Sequence, residues 1–331
     1  MTAAGWPGLL GRLRAYQESE LLFAAAELDV FTHLAGESHT AGELAGMAGA
    51  SERGMRMLLD ALTATGLVIK QDGCYASRPE VSALLAAHSP ENKLNAVRLI
   101  RHGCDQWREL AQCVRQGSGI KTGWFAHDAE LNRSFIGAMH EIGFANATAI
   151  AAHFDFSSRQ LLLDVGGGPA SYSIAILRKY PHMRATVADL PLTLEASREY
   201  IARYDMQGRV NTAPVDLYAD AAFDFGSGYD VMLVSNVLHM AGPEDNEAMI
   251  GKLAKHLDAG GMMIVHESFI DHAVPSVERA MFALHMLVAT DEGRCYSYAE
   301  VSEWLAAAGL DDIHPVEGVF EQPSLLVASK P

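Results

Sequence analysis

The chain is short of cysteine, short of basic residues and without a long apolar run, and each shortage excludes a class of protein. Its 331 residues contain four cysteines, Cys74, Cys104, Cys113 and Cys295. No two stand in a CxxC, and no Cys/His cluster has zinc-ligand spacing, so a zinc module is excluded and no metal is expected. Free thiols in a reducing compartment are the plain reading. Lysine and arginine number 25 against 41 acidic residues, a formal net charge of −16. Such a chain repels phosphate backbones unless its basic residues cluster. The best candidate cluster, Arg53 and Arg56, is flanked by Glu52 and Asp60, so no nucleic acid partner is expected. No stretch approaches the ~18 apolar residues of a membrane span. The opening "MTAAGWPGLLGRLRAYQ" lacks the basic segment and apolar run of a secretory signal. The expectation is a cytoplasmic protein without a membrane partner.

What is present is globular: 49% hydrophobic and 20% charged residues, over a length that suits two domains better than one core. In the first third, Leu21, Ala25 and Leu28 fall at helical spacing. Thr40 to Glu43 forms an S/T-x-x-E capping box ahead of Leu44. Met55, Leu58, Leu59 and Leu62 then repeat at i, i+3, i+4 and i+7. "LVIKQDGCYA" folds back around Asp72-Gly73 as a hairpin. Helix, helix, hairpin is the order of a winged helix, all-helical but for its wing. The second helix, "SERGMRMLLDALTATG", carries two arginines among buried-type residues, which favours packing or dimerisation over DNA binding.

Residues 91–153 read as helical and hold Trp107, Trp124, Phe125, Phe135, Met139 and Phe144. Such density serves a core or the lining of a pocket for a flat molecule. From about 158 the pattern alternates. Strands are expected at 161–165, 184–188, 209–214, 230–235 and 262–267, with helices at 171–180, 192–205 and 244–257 between them. After a helix over 299–308, "LDDIHPVEG" and "QPSLLVASK" read as a closing strand pair. Expected domains are 1–95, a helical linker and pocket segment over 96–157, and an α/β domain over 158–331.

In "LLLDVGGGPASYSIAI", Gly166, Gly167 and Gly168 follow a strand and precede a helix, where backbone N–H groups approach a ligand. There is no Gly-Lys-Ser/Thr of a phosphate-binding P-loop, and Ser171 replaces the third glycine of a dinucleotide fingerprint. Asp164 repels a pyrophosphate but suits the cationic amino acid end of S-adenosylmethionine. Asp189, ending the second strand in "ATVADLP", suits a ribose diol, and Asp216 in "NTAPVDLY" reaches toward an adenine amino group. Three acids at successive strand ends point to S-adenosylmethionine, with S-adenosylhomocysteine as product.

With "LLLDVGGG", "ADLP", "PVDLY", "SNVLH", "DAGGMMIVHE" and "MLVATDEGRCYSYAEVSEWLAAAGL", the chain resembles the class I S-adenosylmethionine-dependent methyltransferases. More narrowly it resembles the caffeic acid / acetylserotonin O-methyltransferase family and its bacterial small-molecule relatives, over nearly its whole length. The resemblance implies a seven-stranded Rossmann-like sheet and an N-terminal winged-helix domain that forms a homodimer. It implies a cofactor site at Asp164, Gly166, Gly168, Asp189, Leu190, Asp216, Leu217 and Ser235. Ala170 stands where the family has a further glycine, a small side-chain intrusion. It also implies methyl transfer to a hydroxyl of an aromatic or polyketide-like molecule, with His239 as general base and Glu267 beside it. The pocket would take Trp107, Met139, His140, His285 and Met286, each with a packing role as its alternative.

Two departures bear on that chemistry. The histidine continues as "HMAGPEDN" instead of His-Asp-Trp, and Cys295 stands at the position of the family's second acid. The alternative to a catalytic His239 is a histidine capping the helix that begins near Pro243. Alternatives to O-methylation are a carbon or nitrogen acceptor, non-methylating chemistry such as decarboxylation or hydroxylation, and a cofactor-sensing winged-helix regulator.

Overall fold

In a computed structural model of the chain, residues 5–120, 122–123, 128–270, 276–322 and 324–331 are described. Trp124 and Phe125 lie outside them. The chain divides into two compact units, Met1–Arg101 and His102–Pro331, so residues 102–157 belong with the sheet that follows them. Among the described residues no helix is long and apolar enough to cross a membrane.

The first unit strings α1 (Trp6–Arg14), α2 (Tyr16–Glu27), α3 (Val30–His33), β1 (His39–Thr40), α4 (Ala41–Met47), α5 (Glu52–Ala64), β2 (Val68–Gln71), β3 (Cys74–Ser77) and α6 (Pro79–Leu85), and α7 (Leu94–Trp107) leads out of it. The capping box is formed in full: the Thr40 hydroxyl accepts the Glu43 N–H, and Glu43 accepts the Thr40 N–H. Met55, Leu59 and Leu62 are the buried positions of α5. The unit is helical apart from a three-stranded antiparallel sheet of order β1-β3-β2, whose hairpin turns where expected, with Asp72 and Gly73 both at positive φ.

The second unit begins with α8 (Leu110–Gln116) and α9 (Ala129–His153), so the long helical stretch is broken into pieces. Alternation follows: β4 (Leu161–Val165), α10 (Ser171–Lys179), β5 (Arg184–Asp189), α11 (Pro191–Arg203), β6 (Val210–Pro214), β7 (Tyr229–Ser235), α12 (Pro243–Leu253), β8 (Leu257–His266), α13 (Val277–Ala289), α14 (Tyr298–Ala307), β9 (Asp311–Val316) and β10 (Leu325–Ser329). The sheet runs β6-β5-β4-β7-β8-β10-β9. Its first five strands are parallel, and β10 inserts antiparallel between β8 and β9. The strand order reverses on either side of β4, and ligands of open parallel sheets sit beyond the strand ends at such a switch.

Strand period two sorts the side chains. Leu162, Val231, Leu233 and Ile264 pack with α9, α10 and α11, whereas Leu163, Met232, Val234, Met263 and Val265 pack with α12 and α14. The same parity carries Asp164, Ser235 and His266 toward α10 and sends Glu267, one residue past His266, to the opposite face.

Candidate active site

Beyond β7 the chain makes a 3-10 turn over Leu238–Met240, and its middle residue, His239, is buried. Its Nδ1 lies 2.7 Å from Oε1 of Glu267, and its own backbone N–H donates to Oε2 at 3.3 Å. The Ser268 N–H also donates to Oε1, at 2.9 Å. Burial pushes the Glu267 carboxyl up, but His239 and these hydrogen bonds outweigh it and hold the group below the usual carboxylate range. An ionised carboxylate only accepts, so Nδ1 carries a hydrogen, and in the neutral imidazole Nε2 is the nitrogen with the lone pair. The ring meets Phe282 edge-on, with centroids 5.0 Å apart.

The turn is held from below. The Asn246 side-chain amide donates to the carbonyls of Leu238 and Ala241, and the Tyr218 hydroxyl donates to that of Val237. A Cβ on Gly293 would fall 2.2 Å from the His239 carbonyl oxygen, so the loop passing there between α13 and α14 needs glycine at this position. The N-cap of α12 is Gly242, with no side-chain cap. The capping role weighed for His239 is therefore not the one it plays.

At the glycine loop, Gly166 adopts φ +61°, and a Cβ there would sit 2.5 Å from Val237 Cγ2. Leu217 Cδ1 lies 3.7 Å from the same point. Gly168 donates its N–H to Asp189 Oδ2 at 2.8 Å, and Leu190 donates to Oδ1 at 2.7 Å. Each oxygen of Asp189 retains acceptor capacity; burial pushes its carboxyl up to about 6. Asp216 Oδ1 accepts the N–H groups of Tyr218 and Ala219. Asp164 is fully buried. Its Oδ2 accepts the N–H and hydroxyl of Ser173 in the first turn of α10, while Oδ1 has no partner among the described residues. Burial pushes Asp164 up to about 6 despite the two Ser173 bonds. Ala170 intrudes through its backbone more than its methyl: it is buried at φ +61°, a left-handed conformation costing roughly 1–2 kcal/mol for a non-glycine residue.

Several expected site residues are occupied by neighbours. Ser235 Oγ and Tyr172 OH each lie 3.0 Å from His266 Nδ1, in a buried cluster where burial drives the imidazole down to about 4. The Ser235 hydroxyl thus faces His266. His140 has Nδ1 at 2.8 Å from Ser171 Oγ and Nε2 at 2.9 Å from Tyr204 OH, packed against Phe144 and Tyr200. It serves the junction of α9, α10 and α11. Met139, one residue earlier, is half-buried and Met286 is buried. Trp107 donates its indole N–H to His285 Nδ1 at 3.0 Å. Cys295 is buried near Glu267, and burial followed by that carboxylate pushes its thiol up to about 11, so the position carries no charge.

Phe282, Asn246 and Gly293 had not been singled out from sequence. Phe282 was findable, being three residues before His285 on one helical face. Asn246 and Gly293 act on backbone carbonyls and leave no such signal.

A family model for the O-methyltransferase domain matches residues 106–311, and one for the O-methyltransferase dimerisation domain matches residues 12–87. The chain is 31% identical to the tetracenomycin polyketide synthesis 8-O-methyl transferase TcmO of Streptomyces glaucescens, across 98% of this chain and 97% of that protein. It is 30% identical to the 3-hydroxy-5-methyl-1-naphthoate 3-O-methyltransferase of Streptomyces sahachiroi, across 90% of this chain and 88% of that protein. The crystal structure of human N-acetylserotonin methyltransferase in complex with S-adenosylmethionine shares the fold, with a TM-score of 0.86 at 21% identity over 100% of this chain and 99% of that one.

Proposed function

The chain belongs to the O-methyltransferase family, and from that premise we propose that it methylates a hydroxyl of an aromatic or polyketide-like small molecule with His239 as general base. The cofactor is S-adenosylmethionine. Its fit is supported by three features of the loop: an orphaned Asp164 oxygen for the ammonium, spare acceptor capacity on Asp189 for the ribose diol, and a backbone at Gly166 with no room for a side chain. When bound, this cofactor supplies a methyl group already activated on a sulfonium.

The observation that carries the mechanism is the 2.7 Å contact between His239 and Glu267. A hydroxyl is a weak nucleophile until its proton leaves, and an imidazole acceptor contributes about 10²- to 10⁴-fold by taking it. In this reading Nε2 of His239 takes the substrate proton while Nδ1–H stays on Glu267. The carboxylate fixes the tautomer and balances the imidazolium as it forms. Phe282, edge-on to the imidazole, and Met286 on the same face of α13 then bear on a flat ring. Because the Cys295 thiol is uncharged, it adds no counter-charge to that of Glu267.

Homodimerisation belongs to the same reading, supported by the dimerisation match over residues 12–87 and by Leu9, Leu13 and Tyr16 exposed along α1 and the start of α2; so does a cytoplasmic location. The test is incubation with S-adenosylmethionine bearing a deuterated methyl group and a panel of hydroxylated naphthalenes and anthracenes, read by mass spectrometry. Labelled methyl ether is the expected product. Cofactor turnover with the label only on carbon or nitrogen, or cofactor binding with no transfer to any phenol, would overturn the oxygen assignment.

A further inference from the structure

Trp107 and His285 approach each other from α7 and α13 with their rings nearly coplanar, 10° apart, and centroids 6.2 Å apart. With Nε1 and Nδ1 only 3.0 Å apart, that is an in-plane N–H···N hydrogen bond, not face-to-face stacking. An indole nitrogen can only donate, so Nδ1 of His285 accepts. The ring is therefore neutral, with its hydrogen on Nε2, and burial together with the nearby His239 favours the same neutral form. The neutral form of His239 has the reverse arrangement, with its Nδ1–H on Glu267 and Nε2 as the acceptor.

The two imidazoles bear on one region. Phe282, which meets His239 edge-on, precedes His285 by three residues on α13, about 4.5 Å along the axis at 1.5 Å per residue. Met286 completes the same face at i+4.

Resting on the methyltransferase reading above, we propose that Trp107 locks His285 as a hydrogen-bond donor, so that the enzyme selects phenols carrying a second oxygen roughly one helical turn from the reacting hydroxyl. The reacting O–H is given to Nε2 of His239, and the second oxygen accepts Nε2–H of His285. A substrate with only the first oxygen offers the His285 donor no acceptor. The indole is a positioning group, acting through His285.

Two measurements test this. The first needs no substrate: long-range 1H–15N spectra of the histidine side chains at pH 7, with His285 assigned by its disappearance in His285→Gln. A neutral Nε2–H tautomer is expected, shifting toward a mixture in Trp107→Phe. A cationic ring or an Nδ1–H tautomer overturns the proposal. The second compares binding of 1,3-dihydroxynaphthalene and 2-naphthol to enzyme saturated with S-adenosylhomocysteine. The diol is expected to bind about tenfold more tightly, the worth of one neutral hydrogen bond. That preference should collapse in His285→Leu and in Trp107→Phe, appearing in KM and not in kcat where turnover is measurable. Equal binding of the two naphthols, no binding of either, or a preference untouched by both substitutions overturns it. If the wild-type protein fails to bind S-adenosylhomocysteine, the methyltransferase reading itself falls. If it binds that product and shows no diol preference, only the His285 assignment falls.

Discussion

Replacing Glu267 with glutamine keeps the size of the side chain and removes its charge. In the native site Oε1 accepts from His239 Nδ1 and Ser268 N, and Oε2 accepts from His239 N. A glutamine oxygen at the first position preserves two of these contacts, while its NH2 meets the His239 N–H donor to donor. In the proposed mechanism the larger effect falls on the imidazolium formed as the proton leaves substrate. Unit charges at about 4 Å attract by about 4 kcal/mol at an effective dielectric of 20. The retained amide hydrogen bond offsets part of this, leaving about 1.4–3 kcal/mol, or roughly 10- to 100-fold in kcat. The assay is initial rate of labelled methyl transfer at saturating cofactor and substrate, with cofactor affinity measured separately and expected to hold. Stability supplies an independent check. Glu267 is held below the usual carboxylate range, so its stabilising contribution is present above an unfolded value near 4.3 and is lost as pH falls through the folded value. Melting temperatures of wild type and Glu267→Gln should differ at neutral pH and converge in acid. A variant within threefold of wild type in kcat would show that the Glu267 charge does not balance an imidazolium at His239.

Gly166→Ala combines a left-handed φ with a Cβ 2.5 Å from Val237 Cγ2; a loss of about 2–4 kcal/mol is expected from denaturant unfolding. Adding Val237→Ala should relieve the clash at Gly166 but not the backbone strain. Asp164 and Asp189 are each pushed up to about 6, so what their neutral forms contribute is fully present below an unfolded value near 4 and lost as pH rises through about 6. The melting temperature of Asp164→Asn should therefore fall less steeply than wild type between pH 4 and 7. On the proposed pairing of Asp164 with the cofactor ammonium, cofactor binding should strengthen over the same interval. Cys295 and Cys113 are buried and Cys74 and Cys104 half-buried; with the Cys295 thiol pushed up to about 11, a thiol reagent at pH 8 should label Cys74 and Cys104 in native protein and reach Cys295 only after unfolding.

The fold was legible where spacing alone decides it. Strand ends at Asp189 and Ser235 and the capping box at Thr40–Glu43 fell within a residue or two of expectation, because period-two burial and cap chemistry are local. Asp164, Asp189 and Asp216 were legible as a set because parallel strands carry their carboxyl ends to one edge. What stayed hidden depends on side-chain commitments across elements. His140 looked like a pocket residue, yet Ser171 and Tyr204 occupy both its nitrogens, and those partners lie 31 and 64 residues away in sequence. Ser235 looked free for the cofactor, but strand parity turns it to His266. Ala170 was expected to cost space, whereas it costs backbone conformation.

Oxygen methylation through His239 is tested by transfer from 13C-methyl S-adenosylmethionine, followed by carbon NMR of the isolated product, with wild type and His239→Ala side by side. Wild type should give a methoxy resonance on an aromatic ring, and His239→Ala a rate reduced at least 100-fold with cofactor binding retained. A methoxy product formed at the wild-type rate by His239→Ala would contradict the general base, and a methyl resonance on carbon would contradict the oxygen acceptor.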